Sequence, residues 1–143
     1  VRGAVRVAPP SAEASGHIEV PGDSIHAARR LREWLKAECR KDLIAASAAH
    51  AKAMGVKFHK ISVRDQSSRW GSCSASGQLS FSWRLILAPS FVLDYVAAHE
   101  VAHLAQMNHG PKFWALVARH CPDLEKARVW IRRHGRDLHS YDF

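Results

Sequence analysis

Two histidines four residues apart, His99 and His103, enclose a glutamate in the run His99-Glu100-Val101-Ala102-His103, and His109 follows six residues later. On a helix, positions i and i+4 share one face and stand about 6 Å apart along the axis. Imidazoles so placed converge on one metal ion at roughly 2.0–2.1 Å each. A glutamate next to the first ligand lies within reach of a water that the metal activates. The chemistry implied is metal-assisted hydrolysis, with zinc the expected ion, Glu100 the expected general base and a peptide bond the expected target. Imidazole ligands also suit other first-row metals.

Catalytic zinc ordinarily keeps three protein ligands and one open position. His109 is the candidate for the third. Gly110-Pro111 after it forces a turn that can carry it back over the helix. The alternative is a loop histidine that stays near the site without binding. The spacing from His103 to His109 equals that of metzincins, but Gln106 stands where those proteins need glycine, so the pattern is not theirs. The group that steadies the developing oxyanion is open; His120, His134 and Tyr141 are candidates only. Tyr95 falls one turn before His99, and core packing is its expected role.

These residues need elements to hold them. Asp23 or Ser24 can cap a long helix that reaches Met54, and Gly55 supplies its stop. Ile25, Ala28, Leu31, Leu35, Leu43, Ala46, Ala49 and Ala53 form its apolar stripe. Arg29, Arg30, Arg32, Lys36, Arg40 and Lys41 lie on the other side, as a solvated face or as a contact for phosphates. Strands are expected over Val56–Arg64, over Arg69–Cys73 and, after a turn at Ser76-Gly77, over Gln78–Trp83, where Leu79, Phe81 and Trp83 alternate with polar residues. The expected sheet is short and antiparallel. Ser90 is the expected cap of the helix that carries the histidines. Pro111 suits the first turn of the next helix, and a last helix runs from about Leu124 to Leu138. The fold class is α+β. Residues 1–22 read as an extended arm or the remnant of upstream strands, with a possible short strand at His17–Val20, and residues 23–143 as the metal-binding domain. Trp70, Trp83 and Trp114 are read as core. Arg69 and Arg84 could stack, pair with a carboxylate or hold substrate.

The 143 residues suit one domain. No apolar run approaches the ~18–20 residues of a membrane span. Cys39, Cys73 and Cys121 form no C-x-x-C pair and no disulfide framework, which fits a reducing cytoplasm. The chain begins with Val1 and not Met, as a trimmed chain would. A net charge of +8 points either to solvated basic faces or to an anionic partner such as nucleic acid.

The runs Arg69-Trp70-Gly71-Ser72-Cys73-Ser74, Gly77, Phe81-Ser82-Trp83-Arg84-Leu85, Tyr95 to Leu104, Asn108-His109 and Phe113-Trp114 together resemble the YgjP-like metallopeptidase family, a relative of SprT-like and WLM zinc peptidases. The resemblance spans about residues 23–138. It implies a small zincin fold with the active-site helix beneath the sheet edge, zinc on His99, His103 and His109, and Glu100 as base. It also implies a strand near the cleft that pairs with an extended protein or peptide substrate, expected within Ser74–Trp83. Two departures stand out. The family's further upstream strands are reduced here to at most a remnant in residues 1–20, and Gly110 replaces a common serine, weakening a helix cap. Competing functions are hydrolysis of a small anionic substrate such as a nucleotide, and a non-catalytic zinc module that binds nucleic acid or protein.

Overall fold

The computed structural model describes residues 6–8, 17–19, 24–65 and 69–139. Short strands β1 (Arg6–Ala8) and β2 (His17–Glu19) pair antiparallel. The long helix α1 runs from Ser24 to Met54. Asp23, one of its two expected caps, lies outside the described residues. Gly55 ends it with φ +72°. The Gly55 amide donates to the Lys52 carbonyl at 3.3 Å and the Val56 amide to Ala51 at 3.0 Å, the paired bonds of a glycine stop.

The buried seam of α1 is Leu35, Cys39, Leu43, Ser47 and Ala51, each four residues from the last. Ala49 and Ala53, expected in that seam, face solvent. The i+4 row drifts around a helix of 3.6 residues per turn, so polar positions rotate into the core in its second half. His50 is tolerated there because its Nε2 meets Asp94 Oδ1 at 2.8 Å, tying α1 to the next long helix. Cys39 donates its thiol to the Ser82 carbonyl at 3.7 Å, and burial pushes that thiol up to about 12.

Strands β3 (Lys60–Arg64), β4 (Gly71–Cys73) and β5 (Gln78–Ser82) follow. The order is β3-β5-β4: β4 pairs antiparallel with β5, whereas β3 pairs parallel with it. The expectation of an antiparallel sheet is therefore corrected to a mixed one. Leu79 and Phe81 are fully buried, which suits β5 to the centre, and β4 is left at the edge. Gly77, with φ +87°, closes the β4–β5 turn and accepts the His59 amide at 2.6 Å.

A 3-10 turn over Trp83–Leu87 leads to α2 (Ser90–Ala102). Pro89, not Ser90, holds the cap position, and no side chain caps the helix. Val92, Val96, Ala97, Ala98, Val101 and Ala102 are all buried, so α2 is a central helix wrapped on most sides. Helices α3 (Pro111–His120) and α4 (Leu124–His139) pack around it. Gly110 caps α3 with no side-chain bond, as the sequence implied. Trp83 belongs to the core, but Trp70 and Trp114 are only half-buried, on the side where α2 carries its histidines.

Candidate metal centre

His99 lies in the last turn of α2, and His103 is the residue just beyond its end. The helix tightens there. His103, Leu104 and Ala105 each donate to a carbonyl three residues back, at 3.2, 3.0 and 3.0 Å. The chain then runs out to Asn108 and returns through His109-Gly110 into α3. This return brings His109 Nε2 to 3.0 Å from His103 Nε2. One ligand nitrogen from each of His99, His103 and His109 lies within 4.8 Å of the other two.

Around a tetrahedral zinc with 2.0–2.1 Å bonds, neighbouring nitrogens stand about 3.3 Å apart. The set is thus close to such a shell and slightly wider. Its protonation suits a metal as well. His103 Nδ1 donates to the Gln106 carbonyl at 3.1 Å, which leaves the Nε2 lone pair facing inward. His109 is held below the ordinary imidazole value, first by lost hydration and then by the neighbouring His103 and His99. Three imidazole nitrogens are a donor set that catalytic zinc uses, so these residues fit the ion.

Aromatic rings from α3 hold the imidazoles in place. Phe113, fully buried, stacks on His103 with centroids 4.4 Å apart and meets His99 and His109 edge-on. Trp114 stacks on His109 at 5.8 Å. Trp114 is therefore a wall of the site as much as a core residue.

Glu100 is buried, with its Oε2 3.1 Å from His99 Nδ1. Gly71 of β4 lies against it: a methyl group there would come within 2.9 Å of Glu100 Cγ. The reading of the sequence missed this glycine, although it stands inside the Trp70-Gly71-Ser72 run. A cavity of about 280 Å³ opens between β4 and the histidines, lined by Arg69, Ser72, Cys73, Glu100 and Met107 among others.

The remaining candidates separate clearly. Arg84 is buried, lies over Trp83 at 4.8 Å and donates to Asp65 at 3.3 Å, so it is structural. Arg69 is exposed at the cavity. Tyr95 packs in the core with its ring 5.8 Å from His99, and burial pushes its hydroxyl up to about 12. His120 ends α3 and His134 lies beside Trp130 on α4; neither is among the described residues that line the two hollows at Glu100. Tyr141 lies outside the described residues. Within the segment Ser74–Trp83, expected to hold a strand with an open edge, β5 already pairs on both sides, so the sheet edge at the histidines belongs to β4.

A long helix, a small sheet, and a histidine-bearing helix beneath the sheet's edge strand make up a zincin-type domain. The family described as YgjP-like, metallopeptidase domain, matches residues 7–134, and the chain belongs to that family. No curated protein and no solved structure matches it. Among the described residues, no helix is long and apolar enough to cross a membrane.

Proposed function

We propose that this domain is a zinc-dependent peptidase that hydrolyses peptide bonds with His99, His103 and His109 as metal ligands and Glu100 as general base. The observation that carries this reading is a buried carboxylate beside the histidine cluster, at the floor of a cavity under an open strand edge. A structural zinc site has no use for such a group. Zinc, when bound there, supplies Lewis-acid polarisation of the scissile carbonyl and makes water nucleophilic near neutral pH.

The chain's own residues do the rest. An extended substrate lies along β4, whose free backbone groups bond it with little sequence preference. Glu100 takes a proton from the attacking water and delivers it to the leaving nitrogen. Gly71 lets the substrate strand and the Glu100 carboxylate approach one another. Arg69, exposed at the cavity, is placed to hold substrate.

The basic surface supports a narrower version in which the substrates are proteins attached to nucleic acid. Arg132, Arg133 and Arg136 are exposed on α4, and Arg132 lines a hollow next to the site. The test is cleavage of a denatured protein by zinc-loaded chain, with and without single-stranded DNA, beside Glu100→Gln. Cleavage by wild type alone supports the peptidase, and a DNA requirement supports the narrower version. Equal behaviour of both proteins in every lane sinks the reading in favour of a non-catalytic module. Release of phosphate from nucleotides by wild type alone would move it to a small anionic substrate.

A further inference from the structure

Resting on the peptidase reading, we propose that the groove between Glu100 and α4 is a specificity subsite for a substrate side chain with an apolar stem and a carboxylate end, a glutamate, whose charge is met by Arg128 and Arg132.

Two hollows run on from the metal centre. The first, about 290 Å³, starts at His99 and Glu100, is bordered by Arg69, and is walled by Trp70, Tyr95, Val96 and Ile131. The second, about 300 Å³, shares Tyr95 and Ile131 with it and ends at Arg128 and Arg132. A side chain leaving the scissile bond on this side passes Arg69 and the apolar walls before it reaches Arg128 and Arg132. That sequence of surfaces fits the methylenes and carboxylate of glutamate and opposes lysine.

The walls are fixed. Trp70 is wedged against α4 at Gly135, where a methyl group would stand 3.4 Å from the indole. Tyr95 is part of the buried core. The arginines remain available. Arg128 lies over Trp114 at 4.7 Å and reaches Glu125 only at 3.7 Å, both partners being well exposed. No carboxylate pairs with Arg132 among the described residues, and it is exposed. In a chain of net charge +8, no acidic residue but Glu100 lines this groove among the described residues.

The experiment measures binding apart from turnover. Zinc-loaded Glu100→Gln protein is titrated with fluorescent peptides of one host sequence, in which Glu, Gln, Leu or Lys is walked along the chain. At one position Glu is expected to bind about three- to tenfold more tightly than Lys, a preference that shrinks with salt. Arg128→Glu/Arg132→Glu added to that background should reverse the order. Arg132→Glu alone, at an exposed residue, should flatten it if the double variant fails to fold. Binding of Glu and Lys peptides within twofold everywhere, no measurable binding of any peptide, or a preference unchanged in the arginine variants overturns the subsite. Wild-type cleavage of the same peptides separates the two ideas. Cleavage without a Glu preference leaves the peptidase and removes the subsite. A reversible Glu preference without cleavage leaves the subsite and removes the peptidase.

Discussion

Glu100 packs directly against Gly71, at a distance that leaves no room for a side chain there. The pair divides the chemistry into parts that can be tested separately. Glu100→Gln keeps the shape and removes the proton acceptor, so peptidase turnover should fall by about 10²- to 10⁴-fold. Metal analysis should still find one zinc per chain, because the three imidazoles are untouched. Gly71→Ala leaves every ionisable group in place and displaces Glu100 Cγ, which would be 2.9 Å from the new carbon. Misplacement of a reacting group by about 1 Å can cost on the order of 10²-fold. Turnover in Gly71→Ala should therefore drop by at least roughly tenfold with zinc stoichiometry unchanged; full activity would show that Glu100 can yield without loss. His99, Glu100, His103 and His109 were legible as a set, since their spacing along the chain carries the geometry. Gly71 was not, because its contact with Glu100 is made across two elements and leaves no periodic trace. The same holds for Phe113 and Trp114. Their rings clamp the histidines only after α3 folds back, and the one available signal was their place in the family-like run.

At the scale of elements, local rules did well wherever the stop or start is a backbone matter. Gly55 ends α1 with both bonds of the expected motif, and a side chain there would meet nothing within 4 Å. Gly55→Ala therefore isolates the cost of a positive φ, about 1 kcal/mol of stability, measurable by urea denaturation. Gly110 offers the contrast. Its φ of −87° suits any residue, and a Cβ meets open space. Gly110→Ser should be neutral or stabilising by a few tenths of a kcal/mol, through a cap bond to α3. A large loss in Gly110→Ser would mean that the return loop needs glycine for a reason other than conformation. Pairing between strands was the weak point. The alternation in Gln78–Trp83 identifies β5 as a strand but does not say which neighbours flank it. Only the fold reveals that β3 runs parallel to β5 and that the free edge over the site belongs to β4. Ser90 fell short as a cap for a similar reason: Pro89 already sets the entry, and the serine is drawn into the first helical turn.

Across the whole molecule, charge and metal are coupled to stability. Some of the basic side of α1 is already engaged, since Arg40 donates to the Ile61 carbonyl at 2.8 Å and Lys41 pairs with Glu38 at 2.9 Å. Arg132, Arg133 and Arg136 of α4 are exposed, and any nucleic-acid affinity should track them and fall steeply with salt. Zinc bound at the proposed site would act on the folded state more directly. His99 and His103 come from the end of α2 and His109 from the loop leading into α3, so one ion would tie these two segments together. At 100 times its dissociation constant, a ligand that binds only the folded chain stabilises it by about 2.7 kcal/mol. The melting temperature should rise on zinc addition and fall back with a chelator. The pH dependence has a definite sign. His109 is held below its ordinary value in the folded protein, so the unfolded chain binds the proton more readily. That contribution is complete above the ordinary imidazole value of about 6.5 and is lost as pH falls through the lowered folded value. Protons also compete with the metal for all three rings. The zinc-induced rise in melting temperature should accordingly be large at pH 7.5 and small at pH 5.5. His109→Ala should weaken zinc binding and shrink the rise at pH 7.5, because two imidazoles remain where a catalytic shell needs three. An undiminished, pH-independent rise in His109→Ala would place the ion elsewhere and leave His109 a loop residue beside the site.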